Sequence, residues 1–171
     1  EKISTSLFDD LPSIQLSSSA SFTLSLKSDG TVWAWGANEF GQCGPNYIPE
    51  EGPAQIPGLT NIKEIAAGWT FGMALDNEGN VWTWGSNLYG ELGDGTTQTR
   101  IMPQKVQNLP PVKTISAPGM AHAGLAVGED NTLWGWGVAG QFSSKEPLQF
   151  ETPVDSFTNT PAQMKKVVYA Y

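Results

Sequence analysis

The chain has 171 residues, nine Lys and Arg against seventeen Asp and Glu, and a net charge of −8. Phosphate neutralisation needs grouped Lys or Arg, and the sequence has no such group, so nucleic acid is excluded as a partner. Its apolar runs are too short for a membrane-spanning helix, and a single Cys43 and a single His122 make neither an internal disulfide nor a zinc site.

Residues 1–12 read as a lead-in. From there, period-two alternation predicts short strands rather than helices. The first unit, 13–58, opens with Ile14-Gln15-Leu16 and continues with Phe22-Thr23-Leu24-Ser25-Leu26. A turn at Ser28-Asp29-Gly30-Thr31 leads into Trp33-Ala34-Trp35-Gly36, a glycine-punctuated loop, and Pro53-Ala54-Gln55-Ile56. The second unit, 59–109, repeats the order. Ile62–Ile65 and Phe71–Leu75 precede a turn at Asn77-Glu78-Gly79-Asn80, then come Trp82-Thr83-Trp84-Gly85, a second glycine loop and Pro103–Val106. The third, 110–160, gives Val112–Ile115, Ala123–Val127, a turn at Glu129–Thr132, Trp134-Gly135-Trp136-Gly137, and an outer strand expected at Pro153-Val154. Residues 161–171 read as the first strand of a truncated fourth unit. Proline in the last strand of a unit fits a sheet edge, where no ladder donor is missed.

The period of about 50 residues marks a stacked repeat whose units cover one another's apolar faces. Asp-Gly between strands signals a two-residue hairpin. That loop length pairs Leu26 with Trp33, Leu75 with Trp82 and Val127 with Trp134. It places both indoles of each unit on the face of large residues and leaves the other face to Ala34, Thr83 or Gly135 and the small set. The expected fold is all-β: a partial β-propeller of about three four-stranded antiparallel blades. Completion by oligomerisation or strand exchange is expected, because three blades do not close a ring.

These residues resemble the regulator-of-chromosome-condensation repeat family of β-propellers, in its bacterial style. The second unit carries the pattern best, with Gly68-Trp69-Thr70-Phe71, Glu78-Gly79, Trp82–Gly85, Asn87-Leu88-Tyr89-Gly90-Glu91-Leu92-Gly93 and Pro103–Val106. The first unit matches from Asp29-Gly30 through Asn38-Glu39-Phe40-Gly41-Gln42-Cys43-Gly44. The third keeps Gly119-Met120-Ala121-His122 and Trp136-Gly137 but shortens the glycine loop to Gly140-Gln141, with a bulge expected after His122. The resemblance implies that this histidine is structural, tying a blade edge by a side-chain hydrogen bond.

Trp33, Trp35, Trp82, Trp84, Trp134 and Trp136, with Gly36, Gly85 and Gly137, are assigned to the repeat core. Trp69 differs, because it stands in a loop where the other units have Ala20 and Ala121. It and Tyr47, in the irregular insert 45–52, are the leading candidates for contact with a ligand or partner, with Phe40 and Tyr89 of the glycine loops behind them. No catalytic residue, metal site or cofactor is expected: the acidic pairs lack ordered ligand spacing, and the glycine loops lack the Lys-Ser or Lys-Thr of a phosphate cradle.

The expected role is a non-enzymatic protein-interaction scaffold that recognises a partner through blade loops and associates with itself through open blade ends. A cell-surface carbohydrate or cell-wall binding module is the alternative. Guanine-nucleotide exchange, the founding activity of the family, and enzymatic activity in general rank below both. Low Lys and Arg content suits an extracellular or cell-surface bacterial protein, with a cytoplasmic setting as the alternative, and the chain reads as a piece of a longer protein.

Overall fold

The computed structural model describes residues 11–150. Twelve strands form three four-stranded antiparallel sheets in simple chain order. The first contains β1 (Ser13–Ser18), β2 (Phe22–Lys27), β3 (Val32–Gly36) and β4 (Ala54–Gln55). The second contains β5 (Ile62–Ala67), β6 (Phe71–Asp76), β7 (Val81–Gly85) and β8 (Arg100–Lys105). The third contains β9 (Val112–Ser116), β10 (His122–Gly128), β11 (Leu133–Ala139) and β12 (Phe142–Gln149). A single 3-10 turn, Pro49–Glu51, interrupts the β3–β4 loop. The expected fourth-unit strand and Pro153-Val154 lie outside the described residues. The third outer strand is β12 instead, joined to β11 by the two-residue turn Gly140-Gln141, with Ala139 opposite Phe142.

The hairpin register corrects the expected loop length. The turn hydrogen bonds run from Gly30 N–H to Lys27 O and from Lys27 N–H to Thr31 O. This is a three-residue loop, a type I turn closed by a residue in the left-handed region that forms a bulge. Gly30 and Gly79 take that position at φ +80° and +84°, and Asn131 takes it at 65°. Leu26 therefore pairs with Val32, and Trp33 and Trp35 pair with Ser25 and Thr23. In the second sheet Trp82 and Trp84 oppose Ala74 and Gly72, and in the third Trp134 and Trp136 oppose Ala126 and Gly124. A one-residue slip moves every side chain to the other face. The indoles thus lie beside small residues, and the large residues of β2, β6 and β10 share their face with Ala34, Thr83 and Gly135. Each face mixes bulk with space, so the bulky-face and small-face division does not hold.

Face-to-face packing follows from this arrangement. The large side of one sheet meets the indole side of the next. Phe22, Leu24 and Leu26 form one buried cluster with Ala74 and Trp84. Phe71, Met73 and Leu75 form the second with Ala126 and Trp136. Trp84 and Trp136 are wholly buried, while Trp82 and Trp134 are partly buried against the same clusters. Trp33 and Trp35, on the outward side of the first sheet, are half-buried. Each fully buried indole also ties the sheets: Trp84 Nε1–H donates to Gln42 O at 2.9 Å and Trp136 Nε1–H to Glu91 O at 2.8 Å.

Side chains on the inner strands add a second tie. Gln15 of β1 exchanges two bonds with the Ile65 backbone of β5, and Glu64 of β5 accepts from Ile115 N–H of β9. Strands β1, β5 and β9 are therefore the close-packed inner edge of an open fan, and β4, β8 and β12 its outer rim. Gly36 and Gly85 end the third strand of their sheets at positive φ, and Gly137 takes positive φ at the matching position inside β11. A Cβ there would meet Ser21 O at 2.7 Å, Thr70 O at 2.7 Å or His122 O at 2.0 Å, so the close approach of the neighbouring strand requires glycine at each position.

Candidate functional site

Strand direction alternates, so the loops divide between two faces. One face, called here the loop face, carries the β1–β2, β3–β4, β5–β6, β7–β8, β9–β10 and β11–β12 connections. The three hairpin turns at 28–31, 77–80 and 129–132 lie on the other, with the links between sheets.

The two glycine loops on the loop face are built alike. Asn38 Oδ1 accepts from Cys43 N–H and Asn87 Oδ1 from Leu92 N–H, so the asparagine pins each loop from within. Gln42 Oε1 accepts from Phe40 N–H and Glu91 Oε2 from Tyr89 N–H. The carboxylate of Glu91 is wholly buried. It also accepts from Ser86 Oγ, and its Oε1 lies 2.9 Å from His122 Nδ1 of the third sheet. A buried carboxylate is strongly destabilising without such partners. Among the described residues, the amide Nε2 of Gln42 has no partner.

Two candidates predicted from sequence converge on that histidine. The Trp69 ring stacks on the His122 imidazole at 5.2 Å between centroids, and the Tyr89 ring lies 4.3 Å from it. Trp69 comes from the β5–β6 loop, Tyr89 from β7–β8 and His122 from the start of β10. The Trp69 carbonyl accepts from Ser21 Oγ at 2.6 Å, which ties its loop to the first sheet. Trp69 is 41% exposed and Tyr89 50%, while the His122 side chain is 24% exposed. The histidine links two blades rather than an edge of its own. No bulge follows it, because β10 and β11 are each longer and His122 pairs in step with Val138.

The remaining candidates lie elsewhere. Tyr47, expected to be exposed, is half-buried against the first cluster, and its Oη accepts from Gly36 N–H at 3.0 Å. Phe40 is half-buried on the first glycine loop. Sequence reading missed Glu91 as the group that orients His122. Its one signal was the shared slot of Gln42 and Glu91 in aligned loops.

His122 and Glu91 have the relation of a base and its orienting acid, but no Ser, Thr or Cys is bonded to His122 among the described residues. Burial, then the charge of Glu39, pushes the Cys43 thiol up to about 12, which keeps it protonated and unreactive. No group of three or more His, Cys, Asp or Glu that could hold a metal occurs among the described residues.

Human WBSCR16 shares the fold and superposes with a TM-score of 0.72 at 21% identity, over 81% of this chain and 39% of that one. Prp20p of Saccharomyces cerevisiae gives 0.47 at 18% identity, over 84% and 51%. The CRINKLY WD40 ectodomain of the Arabidopsis thaliana receptor kinase ACR4 gives 0.37 at 14%, over 75% and 51%. The chain thus spans between 39% and 51% of the length of these structures. No curated protein matches it. A profile of the Regulator of chromosome condensation (RCC1) repeat matches residues 29–75 and 78–120, and a second profile of the same description matches 14–42 and 62–91. With more than half of its length matched by the first profile, the chain belongs to the RCC1 repeat family.

Proposed function

We propose that the chain is a non-enzymatic protein-interaction module that takes its partner on the loop face. One asymmetry carries this reading. Among the described residues, the exposed large apolar side chains that lie in loops are Ile48, Trp69, Leu88, Tyr89 and Met120, and all five sit on that face. Exposed apolar residues grouped on one face mark an interface, and aromatic side chains are enriched among those that dominate binding energy. The opposite loops bury theirs, as with Ile56 and Leu59. The test is affinity capture with the unaltered chain, Trp69→Ala, Tyr89→Ala and the opposite-face control Glu78→Gln. A protein retained by the control and lost by both aromatic variants supports the reading. A glycan-array response that depends on Trp69, with no captured protein, replaces it with the carbohydrate alternative.

Self-association belongs to the same proposal. The three sheets form an open arc, and pairing of arcs end to end or by strand exchange would cover its terminal faces. Light scattering over a concentration series tests this, and a constant monomer mass sinks it.

A further inference from the structure

The charge on the loop face names the kind of partner. We infer that the aromatic group around His122 receives a basic polypeptide segment, with an Arg or Lys side chain laid against Trp69 or Tyr89. This rests on the reading of the loop face as the binding face.

Connections 19–21, 37–53, 68–70, 86–99, 117–121 and 140–141 contain no Lys or Arg. They contain Glu39, Glu50 and Glu51, all exposed, the buried Glu91, and Asp94. Arg100, where β8 leaves this face, is paired with Asp94 at 3.1 Å. Exposed Lys145 of β12 lies against Gly90 and Gly95 of the β7–β8 loop, whereas exposed Lys63, Lys105 and Lys113 stand at the far ends of β5, β8 and β9, beside the opposite loops. Acids stand at both faces, with Asp29, Glu78, Glu129 and Asp130 exposed in the opposite turns, but Lys63, Lys105 and Lys113 offset those, so the loop face keeps the less compensated negative charge, an arrangement that steers a cationic partner to it.

The local chemistry agrees. Cations are attracted to the faces of indole and phenol rings, and a guanidinium also stacks on them. Both rings rest on an imidazole whose Nδ1 is held by Glu91, so the platform is ordered before binding and little side-chain entropy remains to be lost. Among the described residues no Lys or Arg is bonded to Glu91. The Glu91 carboxylate is wholly buried and bonded to the imidazole on which both rings rest, where screening by water is weakest. An anionic surface or polyanion would meet the same field as repulsion.

Fluorescence anisotropy with labelled peptides on the full chain tests the inference. The probes are a short Arg-Ser-Gly peptide and its Glu-Ser-Gly and Ser-Gly counterparts, at low and at high salt. The basic peptide should bind, weaken with salt, and weaken about fivefold or more in Trp69→Ala and in Tyr89→Ala. A Glu50→Gln/Glu51→Gln variant should reduce both the affinity and its salt dependence. Opposite-face Glu78→Gln/Glu129→Gln should change neither, and circular dichroism confirms that each variant is folded. Equal binding of all three peptides overturns the inference, as does loss confined to the opposite-face variant. Where the basic peptide fails to bind but capture of a protein still requires Trp69 and Tyr89, the basic partner is wrong and the binding face stands. Where neither depends on these rings, both readings fall.

Discussion

Gln42 and Glu91 occupy one slot in successive loops, but their surroundings differ by two residues. Glu91 has Ser86 and His122 as partners, and the matching positions around Gln42 are Ala37 and Thr70. Glutamine in the first loop avoids a buried unpaired charge and leaves only Nε2 unsatisfied. Gln42→Glu should therefore destabilise the chain by about 3 kcal/mol in chemical denaturation, the order expected for an uncompensated buried charge. Adding Thr70→His should restore much of that loss by rebuilding the second-loop pair between the first two sheets. A neutral Gln42→Glu would show that water reaches the slot. Asp76 is a second test at this scale. Burial tends to raise its pKa, but bonds from Trp82, Asn80 and the backbone at Asn80 and Glu78 outweigh it and hold the carboxyl below the usual range. The sign follows from linkage. Its stabilising contribution is complete above the unfolded value of about 3.9 and is lost as pH falls through the lower folded value. Asp76→Asn should cost about 1–3 kcal/mol at neutral pH, and less on acidification below about pH 4. An unchanged acid limb in pH-dependent unfolding would refute this.

The hairpin decides which side chains meet, and one loop residue decides the hairpin. Gly72 sits opposite Trp84, where an added Cβ would lie 2.4 Å from Cζ2 of an indole already bonded to Gln42 O. Gly72→Ala should thus destabilise by about 1–3 kcal/mol through overpacking. In the register of a two-residue turn, Gly72 would face away from Trp84, and alanine would be neutral or mildly stabilising. Thermal unfolding of this one variant separates the registers. The strands other than β12 were legible because alternation, turn residues and the Trp-x-Trp repeats all point to the same elements. Register was not, because Ser-Asp-Gly-Thr fits a two-residue and a three-residue loop alike. A usable signal lay one position earlier: Val32, Val81 and Leu133 precede the first indole and belong with Leu26, Leu75 and Val127. The site was legible by halves. Trp69 and Tyr89 stood out as aromatics in open loops, but their meeting at His122 depends on which loops share a face and on a bond spanning 31 residues.

At the scale of the molecule, the second sheet is common to both cores. Its indole side closes the cluster with the first sheet and its large side the cluster with the third. Arrays of this kind approximate nearest-neighbour systems, in which stability is a sum of unit and seam contributions. Trp136 is the main residue of the second seam, wholly buried and bonded to Glu91 O. Trp136→Ala removes the ring, leaves that carbonyl without its donor and should cost about 3–5 kcal/mol. The loss should be local. Hydrogen exchange should speed at β10 and β11 while β2 and β3, bounded by the first seam, keep their protection. The two aromatics of the loop face then serve as reporters. Trp69 rests on His122 of the third sheet while its own loop is tied to the first, so loosening the second seam should free the indole without detaching the loop. Uniform acceleration of exchange in all three sheets would mean that the arc opens as one cooperative body. The loop-face platform would then depend equally on either seam.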